Sequence, residues 1–353
     1  MNYKMKNFFS IVSLAAVLSA CDGSSDSTSE VSQLKDSCAP DSGISYVCGL
    51  VNAEDLLSVG DTGMILTSGM NGSLNGTNIN GHLYMVNTLD DSWEDLVGSP
   101  NFSQDFNDSV YTSCPGQLNT DNFSAHGLAL KPIESAYFDL YITSHGAREA
   151  VEIFNLDLRD GISKLTWRGC VPLDETIMHN SLAILNDGGF VTTQFMVWAE
   201  GVESAFAGEA KGSVVIWHPG SQPETMPGSE LAAPNGIVLS EDERFMYVAA
   251  FGSRELVRFD ITQEPLTTDS VRLDIMLDNV RWGEPGKLLT AGGNVNGDGW
   301  SVVEIDAGTL EAKRVGGMNS TANIQGVSSA LQVSSEIWVG TYSGDRIAYF
   351  TKE

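Results

Sequence analysis

One opening recurs along this chain. "HGLALKP" starts at His126, "NSLAIL" at Asn180, "NGIVLSEDERFMYVAAF" at Asn235 and "QGVSSALQVSSEIWVGTY" at Gln325. Each stretch begins with a polar residue and a small one. It then runs apolar, turns, and runs apolar again. Two further segments share the plan, "EDLLSVGDTGMILTSG" from Glu54 and "NVRWGEPGKLLTAGG" from Asn279. Successive starts lie roughly 45 to 70 residues apart, the spacing of four-stranded propeller blades. Short β-rich runs separated by Gly, Asn, Asp and Ser dominate, and few stretches show a helical period. Radial stacking buries both faces of each blade, which explains runs such as "FMYVAAF" that hardly alternate. The pattern predicts an all-β six-bladed β-propeller over residues 38–353. A β-sandwich or two unrelated β domains would leave the recurrence without a cause.

In a propeller the innermost strand of each blade runs along the central channel, so equivalent positions converge. Glu54, His126, Asn180, Asn235, Asn279 and Gln325 would then form a polar ring, with Asp278 just before Asn279 and Asp55 just after Glu54. Carboxylate and amide oxygens with few nitrogen or sulfur donors suit a hard cation, calcium above all. Glu54 and Asp278 together would match its charge. An Asn before Gly is ordinarily a turn former. The shared placement in successive repeats is what carries the metal reading.

Net charge is −27, which argues against nucleic acid and against charge-driven binding to anionic lipid. It favours cations and solubility. The N-terminus reads as something other than fold: "MNYKMKNFF" carries Lys4 and Lys6, and "FFSIVSLAAVLSA" is apolar but short for a bilayer span. Its end, "LSAC", resembles the bacterial lipobox. The resemblance implies a signal peptide over 1–20, cleavage before Cys21, lipid on its sulfur, and a polar tether over 21–37. Asp22 resembles an inner-membrane retention signal. The expected location is the cell envelope, lipid-anchored, on the periplasmic side. Four cysteines remain, Cys38, Cys48, Cys114 and Cys170, and they allow three pairings among which sequence does not choose. We favour Cys38–Cys48, a short loop, with Cys114–Cys170. No CxxC spacing suggests zinc.

The chain resembles the paraoxonase branch of the gluconolactonase-type six-bladed propellers. "AEDLL", "HGLAL", "YITSHGAREAVEIFNLDL", "HNSLAIL", "PNGIVLSEDERFMYVA" and "LDNV" resemble the family's successive motifs, in order, over nearly all of residues 48–353. The resemblance implies a catalytic calcium held by Glu54, Asn180, Asn235, Asp278 and Asn279. It implies His126 as general base with His145 as its partner, and a second, structural calcium at Asp55 and the Leu128 carbonyl. Three departures stand out. Ser181 follows Asn180 where the family usually has Asp, and losing a carboxylate weakens a calcium site. No Cys follows Cys170 to form the terminal disulfide of mammalian paraoxonases. The fifth-blade histidine has no match in "LLTAGGN".

The implied chemistry is hydrolysis of a small-molecule lactone or aryl ester. Calcium polarises the carbonyl while His126 takes a proton from water. His179, beside Asn180, is a third candidate for the pocket. His82 and His218 read as blade or loop residues. The competing reading is a non-enzymatic, calcium-stabilised propeller that binds a ligand or protein partner at the envelope, since fold alone does not dictate chemistry. Strictosidine-synthase-like relatives, which lack the calcium ring, are a more distant comparison.

Overall fold

The computed structural model describes residues 38–70, 81–320 and 323–352. The signal peptide and tether expected over 1–37 lie outside them. Six antiparallel sheets follow one another along the chain, and each is a blade. Their innermost strands are Ala53–Ser58, Phe123–Glu134, Ile177–Ile184, Pro234–Leu239, Val280–Trp282 and Val327–Val333. Blades 1 to 6 therefore start at or beside the recurrent openings, as the repeat spacing predicts.

Two features were not legible in the repeats. The sixth blade takes its outermost strand from the start of the fold: Ser45–Cys48 pairs antiparallel with Arg346–Thr351, closing the ring. Blade 2 gains a fifth strand, Phe102–Gln104, parallel to its outer strand Lys164–Pro172. Both disulfides form as favoured from the sequence. Cys38–Cys48 pins the closing strand, and Cys114–Cys170 ties the long connection after blade 1 to the outer strand of blade 2.

The core lies between neighbouring blades. Leu66 and Leu83 of blade 1 share one apolar cluster with Phe154 and Trp167 of blade 2. Phe190 and Trp217 of blade 3 pack with Tyr141 and Val151 of blade 2. A fully buried Trp or Phe removes large apolar area from water, about 25 cal/mol per Å², so each blade depends on its neighbour.

The recurrent opening has a structural cause at the channel. In blades 1, 2, 3, 4 and 6 the pairing register breaks beside the ring residue. Such bulges re-aim side chains and free backbone groups for other partners. Those groups bind the next blade. Gly236 N donates to Asp278 O (3.1 Å), and Asn279 N donates to Ser328 O (2.8 Å). Thr193 Oγ1 donates to Asn235 O (2.6 Å), and Ser328 Oγ donates to Glu54 O (2.6 Å). The small second residue is needed for the same reason. A Cβ on Gly127 would stand 2.4 Å from the Asn180 carbonyl oxygen, and one on Gly236 would stand 2.4 Å from Val280 N. The sixth opening departs from the expectation. Gln325 is exposed, and the bulged, buried Ser328 holds the ring position instead.

Candidate functional site

Glu54, Asn180, Asn235 and Asp278 converge with His126 on one cavity of 370 Å³. Asn279 joins them from behind, its Nδ2 donating to Glu54 Oε1 at 2.6 Å. All five of these metal-ligand candidates are at most 6% exposed. Each presents a buried oxygen with no hydrogen-bond partner: Glu54 Oε2, Asn180 Oδ1, Asn235 Oδ1, Asp278 Oδ1 and Asn279 Oδ1. An unsatisfied buried polar atom costs about 1–3 kcal/mol. Five at one spot are tolerable only if they share a partner that is a cation or a multiple donor.

The electrostatics agree. Burial, then the Asp278 and Asp55 carboxylates, push Glu54 well above the usual carboxylate range. Burial lifts Asp278 to about 8, with Asp55 adding to the rise and a hydrogen bond from Asn235 opposing it. Two carboxyls that resist ionisation so strongly are matched by a divalent cation, which favours the charged form of both. The donors are all oxygen, and the residues present fit calcium. Among the described residues no three His, Cys, Asp or Glu side chains gather as a metal cluster, so carboxamide oxygens would supply much of the coordination here.

A second line of polar groups runs away from the ring. His126 Nδ1 lies 2.8 Å from His145 Nε2, and His145 Nδ1 lies 2.9 Å from both oxygens of Glu149. Glu149 is buried, but the His145 and His179 imidazoles outweigh that burial and hold it below its usual range. An ionised Glu149 accepts the Nδ1 proton of His145, and in the tautomer where His145 carries no second proton its Nε2 is an acceptor. In that tautomer His126 donates from Nδ1 and its Nε2 is bare. His126 Nε2 faces the ring, 3.7 Å from Glu54 Oε2. Burial, and then His145, hold His126 well below the usual imidazole range, so it is neutral at neutral pH.

Glu149 went unnoticed in the sequence, where it is one acid in "HGAREA" before a strand. The only signal is its place four residues after His145. His179 reaches the same carboxylate, its backbone N donating to Glu149 Oε1 at 2.9 Å while its Nδ1 lies 3.4 Å away without a hydrogen bond. His82 and His218 pair with Asp95 and Asp187 on the blades, as expected for structural residues.

Where a second ion is expected, a side-chain cation already stands. Asp55 is fully buried, one residue beyond Glu54, and its Oδ2 accepts from Leu128 N at 2.8 Å. The guanidinium of Arg281 also binds Asp55 Oδ2, and it donates to the Leu128 carbonyl at 2.9 Å. The Leu128 carbonyl and one Asp55 oxygen are thus held by a side-chain cation, while Asp55 Oδ1 stays buried without a hydrogen-bond partner. Sequence reasoning passed over Arg281 as part of "DNVRW".

Above the ring the cavity walls are apolar: Met70, Met178, Phe195, Phe251 and Trp300 line it, with Tyr342 near the mouth. A larger cavity of 510 Å³ lies on the far side, lined by Leu128, Ile237 and Arg281. It contains neither His126 nor the orphaned oxygens, so the smaller cavity is the candidate active site.

No protein-family model and no curated protein sequence matches this chain. Solved structures match its fold. A gluconolactonase from Xanthomonas campestris superposes with a TM-score of 0.54 at 17% identity, covering 88% of this chain and 89% of its own. The calcium-binding protein regucalcin from Agrobacterium tumefaciens gives 0.52 at 13% identity, over 87% and 93%. A streptogramin B lyase gives 0.51 at 10% identity, over 88% and 97%. Gluconolactonase and regucalcin propellers are thus structural neighbours of this chain. A lyase shares the architecture, so function has to be argued from the site.

Proposed function

We propose that this chain is a calcium-dependent hydrolase of lactones or aryl esters. One observation carries the reading: five unpartnered buried oxygens meet the Nε2 side of a neutral histidine in an apolar cavity. Glu54, Asn180, Asn235, Asp278 and Asn279 would hold the ion. Calcium, when bound, supplies Lewis-acid polarisation of a substrate carbonyl.

His126 acts as general base, its Nε2 taking a proton from the attacking water. Positive charge then develops on His126, and His145 backed by ionised Glu149 orients the ring and opposes that charge. The walls formed by Met70, Phe195, Phe251 and Trp300 exclude water and accept the hydrocarbon part of a substrate. The names of two structural neighbours, a gluconolactonase and a calcium-binding regucalcin, agree with this class of chemistry.

The test is hydrolysis on a panel of lactones and aryl esters, before and after chelation, with His126→Gln alongside. Calcium-dependent turnover that falls in the variant supports the reading. A protein that binds calcium yet hydrolyses nothing on the panel is instead a binding platform. We also propose that Cys21 carries lipid and anchors the protein at the cell envelope. Cys21→Ser should then leave the membrane fraction or remain unprocessed, and unchanged fractionation would contradict the anchor.

A further inference from the structure

We propose that Arg281 is a built-in cation that takes the place of a structural metal ion beneath the ring, so that the channel floor folds without metal and the chain takes up one calcium rather than two. Arg281 is buried, 5% exposed. Its Nε donates to the Leu56 carbonyl at 3.1 Å, and its Nη2 to the Leu128 carbonyl at 2.9 Å and to the Asp55 carboxylate. One side chain from blade 5 thereby ties the inner strands of blades 1 and 2. These are the strands that carry Glu54 and His126.

Two carbonyl oxygens and a carboxylate form an oxygen set of the kind a hard cation takes. A guanidinium satisfies it in a fixed fork and stays charged at any ordinary pH. The charge balance decides between the two. Asp55 brings one negative charge and Arg281 one positive charge, so the pair is neutral without a further ion, although Asp55 Oδ1 keeps no hydrogen-bond partner. A divalent ion would leave excess positive charge in a buried site. Ser181 explains why there is no second carboxylate. It stands on the inner strand of blade 3, its Cα 2.5 Å from where a Cβ on Gly127 would fall, and its buried Oγ has no hydrogen-bond partner. An acid there would add the missing negative charge.

The test is a count of bound calcium on the full chain in detergent, by calorimetry and by elemental analysis after dialysis, with thermal unfolding of the chelated protein alongside. The double variant Arg281→Ala/Ser181→Asp removes the internal cation and supplies a carboxylate. The expected result is one more calcium per chain than wild type, and a melting temperature that now rises with calcium. Wild type should bind one ion and stay cooperatively folded in chelator. Two ions on wild type, or unfolding of wild type by chelator, would overturn the proposal, as would a folded double variant that binds no more calcium than wild type. If the double variant folds under no condition, the wild-type count and its behaviour in chelator still decide. The proposal rests on the site assignments above but not on hydrolysis. A wild type that binds one ion and turns over no substrate defeats the enzymatic reading and leaves this one standing.

Discussion

Glu54 and Asp55 are adjacent on one strand, both buried, and both acids, yet the chain treats them in opposite ways. Glu54 Oε2 faces the cavity among other oxygens that have no partner. Asp55 Oδ2 faces the channel floor and is closed by Arg281 and by Leu128 N. The bulge between Ala53 and Leu56 lets consecutive residues serve these two sites. Burial is nearly the same for both acids, and each keeps one unpartnered oxygen, Glu54 Oε2 and Asp55 Oδ1, so what differs is the internal cation beside Asp55. A buried acid left open is poised for a ligand, whereas a buried acid given an internal cation has become structure.

Exchanging each acid for its amide separates the two roles most sharply. Glu54→Gln should abolish calcium binding and hydrolysis while leaving the metal-free fold intact, because it removes a repelled carboxyl. Asp55→Asn should leave Arg281 buried without its counter-charge and destabilise the protein by about 3–5 kcal/mol, read by denaturant unfolding. Equal effects of the two changes on stability would break the comparison.

Next in size is the base. His126→Gln should keep calcium and lose about 10²–10⁴ in hydrolysis rate, measured separately on lactones and esters. Asn235→Ala, by contrast, should lose both metal and activity. Glu149→Gln should be milder, about 10–100-fold in rate with calcium retained, and should shift the pH profile because His145 loses the anion that fixes its tautomer. A Glu149→Gln enzyme with the wild-type rate and pH profile would remove Glu149 from the account.

The smallest expected effect is on stability against pH in chelator. Glu54 and Asp278 are raised in the folded protein, Asp278 to about 8, so the folded state holds their protons more tightly than the unfolded chain does. Their stabilising contribution is present in full below the unfolded carboxylate range near pH 4 and is lost as pH rises towards about 8. The melting temperature of the chelated protein should therefore fall over that window, and saturating calcium should flatten the slope. A chelated protein that gains stability across the window would contradict the open-acid half of the comparison.

The blades and the ring were legible in the sequence because each repeats a local rule, whereas the pairing of His126 with His145 came only from the family resemblance. A polar residue and a small one before an apolar run mark the bulge, and the repeat itself aligns the positions. Gln325 misled because the sixth blade sets its bulge at Ser328, three residues later than the opening suggests. Arg281 and Glu149 were not legible for a different reason. Arg281 acts on Asp55, 226 positions away, and Glu149 links His145, four residues before it, to His179 N, 30 residues after it. Nothing in "DNVRW" shows which acid its arginine will meet. The ring closure by Ser45–Cys48 has the same origin, since it depends on the two ends of the fold meeting.

The central claim is that the orphaned oxygens of the ring hold a calcium ion that serves hydrolysis beside His126. The most direct measurement is a calcium titration of chelated protein in which bound metal and turnover of a lactone or aryl ester are followed in the same samples. The account predicts that turnover is absent in chelator and returns in proportion to occupancy of a single site, with Glu54→Gln failing to recover at any calcium concentration. Turnover that persists in chelator, or a fully loaded site with no turnover on any substrate of the panel, would contradict it.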